Sequence, residues 1–251
     1  MFVHGFGCGQ DMWRHVAPEF ERDHRVVLFD LPGSGEADAS TYDTARHARL
    51  EGYRDDVIAL LDELGLRSVV LVGHSVSAMI AVLVQIARPD LVERLVLVTP
   101  SARYLNDVDY DGGFGEADIE ELLDLMSRNH LGWQDPLAAL VAGSDSSAVK
   151  DELERVFCRT RPEIAAEFAA VTFRGDNRAD LPHVSAPTLV LQSREDSVAP
   201  LSAGLYVKDA VPDSAFEILE TRGHCPQLSV PHETAAAIRR YLDPSPRGRA
   251  A

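Results

Sequence analysis

The chain's most restrictive feature is the apolar run Val69-Val70-Leu71-Val72, which passes through Gly73-His74-Ser75-Val76-Ser77 into the apolar stretch 78–87 and stops at Arg88-Pro89. A β-branched run of that length reads as a buried strand. The stretch after it reads as a helix that is apolar on all sides. Such a strand and helix can be satisfied only inside a layered core, so the five residues between them form a tight turn from sheet to helix. A turn of this kind needs small residues around its centre and pushes the Ser75 hydroxyl out above the sheet edge. It also points the Val76 N–H, at the positive end of the helix, toward any oxyanion formed beside that serine. The fifth position, where glycine is usual, holds Ser77, which is also small.

Strand-like runs lie at 1–3, 25–29, 68–72, 94–98, 188–191 and 215–219, separated by helical stretches or turns. This alternation implies an α/β fold with a mostly parallel sheet. The clearest intervening helix is 50–64, where Leu50, Tyr53, Val57, Leu60, Leu61 and Leu64 share one face and Gly65 provides the stop. Almost ninety residues without a convincing strand separate Val98 from Thr188. Four helices are expected there, at 116–130, 136–142, 147–158 and 162–173, making a lid. The expected organisation is a core of 1–100 and 186–243, a helical lid of 101–185 and a flexible tail of 244–251.

With 251 residues the chain can bury a substantial core. A formal charge of -16 opposes binding to nucleic acid or to anionic membranes, both of which attract basic patches. No apolar stretch reaches the length needed to span a bilayer. Cys8, Cys158 and Cys225 are odd in number and widely spaced, which points to a cytoplasmic location. No His, Cys, Asp or Glu cluster has metal-ligand spacing, so neither metal nor cofactor is expected.

A serine hydroxyl needs a neighbouring base, and the base needs an acceptor that fixes its tautomer. Of the nine histidines, His224 follows the last strand within Arg222-Gly223-His224-Cys225-Pro226, on the carboxyl edge where Ser75 also lies. His74 and His4 read as structural supports, and His15, His24, His47, His130, His183 and His232 as surface residues. For the acid, Asp196 follows the strand 188–192 and precedes the step into Pro200, with Glu195 as its rival. The chain order Ser, Asp, His, each after its own strand, matches the α/β-hydrolase arrangement. The second oxyanion donor is expected from His4-Gly5-Phe6-Gly7, pairing the Phe6 N–H with that of Val76. The segment 30–35 lacks the lysine of a phosphate loop and reads as a turn. Cys225 reads as a small buried hydrophobe.

Together these residues resemble the α/β-hydrolase superfamily, and within it the branch of the bacterial stress regulator RsbQ and the plant karrikin and strigolactone receptors. The resemblance covers nearly the whole chain. It is carried by Gly73-His74-Ser75-Val76-Ser77-Ala78-Met79, by Tyr104-Leu105-Asn106-Asp107 with Gly112-Gly113-Phe114, by Gly132-Trp133, by the turn 176–178, and by Gly223-His224-Cys225-Pro226-Gln227-Leu228-Ser229. It implies a Ser75-His224-Asp196 triad, an apolar pocket beneath the lid, and slow hydrolysis of a small apolar ester, lactone or enol ether. It also implies signalling to a partner, which in RsbQ-like proteins is a sensor phosphatase controlling a stress sigma factor. The aromatic residues it assigns to the pocket are Phe6, Tyr104, Phe114, Trp133 and Phe173. Two strands that precede Met1 in the family are absent here, which would leave 25–29 as an open sheet edge. The alternative function is a metabolic esterase, lactonase or carbon–carbon bond hydrolase with no protein partner.

Overall fold

A computed structural model of the chain describes residues 1–128, 132–143, 147–157 and 161–243. Its first half alternates strand and helix: β1 (Phe2–Val3), α1 (Leu50–Glu63), β2 (Val69–His74), α2 (Val76–Ala87) and β3 (Val92–Val98). Four helices follow, α3 (Glu116–Arg128), α4 (Gln134–Ala142), α5 (Ser147–Phe157) and α6 (Pro162–Arg174). The chain then returns to the sheet through β4 (Thr188–Glu195), α7 (Leu201–Ala210) and β5 (Ser214–Arg222), and ends in α8 (Pro226–Ser229) and α9 (Pro231–Leu242). The five strands pair in parallel in the order β1-β2-β3-β4-β5.

The two-residue period of a strand divides the core between the two faces of this sheet. Leu71, Leu95, Leu97 and Val190 pack with the apolar sides of α1 and α2 and with the inserted helices. Val72, Val96, Val98, Leu189 and Leu191 face Trp13, Phe20 and Ile238 of α9. Ten consecutive residues of α2, Val76 to Gln85, are buried, as expected for a helix with no polar face.

The ends of the insertion are fastened together. Arg103 Nη1 lies 2.8 Å from Asp176 Oδ2, and Arg178 Nη2 lies 2.9 Å from Asp107 Oδ2. The four inserted helices form a lid region over the carboxyl edge of the sheet. Of their expected ends, His130 and Cys158 lie outside the described residues, as does 244–251.

Two expectations need correction. The run 25–29 does not form a full strand: Leu28 makes one isolated parallel bridge to Phe2, and the Phe2 N–H donates to the Val27 carbonyl at 3.0 Å. Its neighbour β1 has only two residues, too few for a longer ladder. The second correction is His47, expected at the surface but fully buried. Its Nε2 lies 2.7 Å from Asp56 Oδ2 and its ring stacks on Tyr42, so a carboxylate of α1, nine residues on, supplies its partner and an aromatic ring covers it.

Candidate active site

Ser75 sits between β2 and α2 with φ +57° and ψ −126°, a conformation that non-glycine residues rarely adopt. It persists because its surroundings fix it. The Ser75 N–H donates to the Val98 carbonyl at 2.9 Å. A Cβ on Gly73 would stand 2.2 Å from the Ser77 carbonyl oxygen, and one on Gly5 would stand 2.6 Å from His74 Nδ1, so the elbow and the 4–7 loop approach each other only across glycines. Ser77, in place of the usual glycine, has a function that its size alone does not reveal. Its hydroxyl donates to the His4 carbonyl at 2.5 Å and ties the start of α2 to the loop that carries Phe6. His4 holds the same loop from its other side: Nδ1 meets the Gly5 carbonyl at 2.9 Å and Nε2 accepts the Leu31 N–H at 3.0 Å. No acceptor among the described residues takes the N–H of Phe6 or of Val76.

Ser75, Asp196 and His224, distant in sequence, meet at this edge. His224 Nδ1 lies 2.7 Å from Asp196 Oδ2, and His224 Nε2 lies 2.7 Å from Ser75 Oγ. A carboxylate only accepts hydrogen bonds, so with a neutral imidazole the proton is on Nδ1 and Nε2 accepts the serine O–H. A further donor follows from the same logic. Tyr104 Oη lies 3.0 Å from Ser75 Oγ, whose own proton is directed to His224, so the tyrosine donates. Burial pushes the Tyr104 hydroxyl well above its ordinary pKa, which keeps that proton in place.

The carboxylate is anchored on its other oxygen, where Asp196 Oδ1 accepts the N–H groups of Val198 at 2.8 Å and Ala199 at 3.0 Å. Its rival Glu195 turns outward to Arg222, at 2.8 Å. The His224 backbone is held as firmly as its ring. Its carbonyl accepts His74 Nε2 at 2.8 Å and Thr99 Oγ1 at 3.0 Å, and its N–H donates to Val141 of α4 at 2.8 Å. His74 therefore supports the catalytic edge from beneath. Burial first, then the neighbouring His224, presses its pKa down to about 3, so it stays neutral. Burial pushes the Cys8 and Cys225 thiols upward, and neither supplies a thiolate to compete with Ser75.

Above the serine is a small cavity, about 30 Å³ in volume. Phe6, Tyr104 and Phe173 are on its wall. Phe114 and Trp133 stand one layer behind, Phe114 against Phe173 at 6.0 Å between ring centroids and Trp133 against Phe6 at 6.1 Å. Leu137 and Val141 of α4, Phe157 of α5 and Thr172 of α6 complete the lid side, with Val198 on the core side. These residues escape the sequence reading, because amphipathic helices do not reveal which part of a buried face meets a cavity and which meets the sheet. No group of three or more potential metal ligands occurs among the described residues. No helix among them is long and apolar enough to cross a membrane.

A family profile described as "Alpha/beta hydrolase family" matches residues 1–237. The chain is 41% identical over 244 residues to a probable esterase of Oryza sativa subsp. japonica, covering 96% of this chain and 90% of that protein. It is 39% identical over 241 residues to a strigolactone esterase of Arabidopsis thaliana, covering 96% and 90%. Among solved structures, a hydrolase from Oleispira antarctica superposes with a TM-score of 0.94 at 38% identity, covering 96% of this chain and 89% of that one. The elbow, the lid region and these similarities together identify a serine hydrolase of the α/β-hydrolase family, and the chain belongs within it to the branch of the karrikin and strigolactone receptor-esterases.

Proposed function

We propose that the protein hydrolyses a small, mostly apolar ester, lactone or enol ether through a covalent Ser75 intermediate, and that this turnover informs a regulatory protein partner. Ser75 Oγ attacks the acyl carbon of the ester or lactone, or of the carbonyl group that an enol-ether substrate must also carry, as its proton passes to His224 Nε2. The carbonyl oxygen takes the displaced electron pair and is met by the N–H groups of Phe6 and Val76. The tetrahedral centre then collapses, the carbon–oxygen bond to the leaving group breaks, and His224 returns the proton to the departing oxygen. Water repeats the sequence on the acyl-serine, and Asp196 holds the imidazolium throughout. The observation that carries this reading is the unbroken chain from Asp196 through His224 to Ser75, with both links at 2.7 Å.

The apolar walls of the cavity favour a substrate of low polarity. Support for a signalling role comes from relatives named as receptors, among them the karrikin insensitive 2 receptor CA of Petunia hybrida, 41% identical over 244 residues. The RsbQ-like motifs in the lid and elbow make a sensor phosphatase of a stress sigma-factor pathway the leading partner, in the cytoplasm. Two measurements on the purified protein and its source lysate test the reading. Slow hydrolysis of butenolides with acylation of Ser75, together with reproducible capture of a sensor phosphatase, is the expected result. Rapid turnover of a metabolite with no captured partner would instead make the protein a metabolic hydrolase.

A further inference from the structure

The hydroxyls on the cavity wall are not equivalent. Those of Ser75 and Tyr104 are engaged with each other and with His224. Thr172, on α6, is 4% exposed, lines the same cavity, and its Oγ1 has no hydrogen-bond partner among the described residues. A helical threonine can return its hydroxyl to the carbonyl four residues back, here that of Phe168, and this bond is not formed. Elsewhere on the cavity wall, Phe6, Leu137, Val141, Phe157, Phe173 and Val198 offer no side-chain oxygen or nitrogen. Burying a hydroxyl with no partner is unfavourable, and such a group in a binding cavity is satisfied when a ligand brings the missing acceptor or donor.

We infer that Thr172 is a specificity residue: its hydroxyl hydrogen-bonds a second oxygen of the substrate, distinct from the carbonyl that Ser75 attacks. The preferred substrate is then a compact ester or lactone that carries an additional ether, carbonyl or hydroxyl oxygen. A purely hydrocarbon acyl chain would leave Oγ1 unpaired in the closed pocket, and selection follows from that difference. Ser75 and Tyr104 supply the chemistry, while Thr172 discriminates between ligands of equal size. The inference rests on the serine-hydrolase reading above.

Matched ester pairs of nearly equal shape test it on the whole protein. In one pair, 4-nitrophenyl butyrate and 4-nitrophenyl methoxyacetate, the extra oxygen is on the acyl side. In the other, butyl acetate and 2-methoxyethyl acetate, it is on the alcohol side. Each kcat/KM is divided by the alkaline hydrolysis rate of the same ester, which removes intrinsic reactivity. For at least one pair, the preference for the oxygen-bearing ester should fall about fivefold in the near-isosteric Thr172→Val, the equivalent of one neutral hydrogen bond, and return in Thr172→Ser. Unchanged preferences in both pairs, or a fall that Thr172→Ser does not restore, would overturn the assignment. Failure of the wild type to hydrolyse any of the four esters would instead overturn the hydrolase reading itself.

Discussion

At the scale of single residues, the site depends on groups that fix the backbone as much as on those that do chemistry. Ser77 is the clearest case, because its hydroxyl joins the elbow to the carbonyl of His4 and so sets the distance between the two N–H groups proposed to meet the oxyanion. Ser77→Ala removes that link and leaves the His4 carbonyl buried without its donor. The variant should lose about 1 kcal/mol of stability, the usual scale for one hydrogen bond, and about fivefold in kcat at nearly unchanged KM. Chemical denaturation and steady-state kinetics on one substrate measure both. A variant with full kcat would mean that the loop keeps its position without the serine. The sequence marks position 77 only as small. Its bond to a residue 73 positions earlier is a property of the packed elbow that spacing does not express.

At the scale of elements, legibility follows hydrophobic contrast. The β2–α2 unit is legible because an all-apolar helix and a β-branched strand leave few alternatives, and α1 because its apolar residues repeat at helical spacing. Helix α7 buries small residues instead, Ala203 and Gly204 beside Val207, so its buried face barely stands out from the rest of the sequence. The run 25–29 shows the reverse problem. Its continuous apolar run Val26-Val27-Leu28-Phe29 reads as a strand, but the length of a ladder is decided by the partner, and β1 offers two residues. The enclosed position of α2 leads to a stability prediction. Ile80 is fully buried at its centre, and Ile80→Ala should destabilise the protein by about 2–5 kcal/mol through lost contacts and the cavity left behind. A loss below about 1 kcal/mol in a denaturant titration would show that α2 is less enclosed than described.

For the molecule as a whole, the buried histidines tie stability to pH. His74 and His4 have pKa values lowered by burial, that of His74 to about 3, and both are neutral in the folded protein. The unfolded chain binds their protons more readily, starting near the ordinary histidine value of about 6.5. Their neutral burial is therefore fully tolerated above that pH, and stability is lost as pH falls from there toward the folded pKa. Denaturation midpoints should decline from about pH 6.5 downward, and the decline should be shallower in His74→Gln. Midpoints that stay level until carboxylates titrate, near pH 4, would contradict the account. The same whole-molecule view explains what the sequence could and could not specify about the site. Chain order nominates Ser75, Asp196 and His224, while the cavity above them depends on how four lid helices pack, which single residues do not determine.

The central claim is that these three side chains act as one relay with Ser75 as the nucleophile. Intact-protein and peptide mass spectrometry after exposure to a serine-reactive fluorophosphonate tests it most directly. The expected result is one adduct per chain, mapped to Ser75, absent in Ser75→Ala and formed far more slowly in His224→Ala. An adduct on another residue, or undiminished labelling of folded Ser75→Ala, would contradict it.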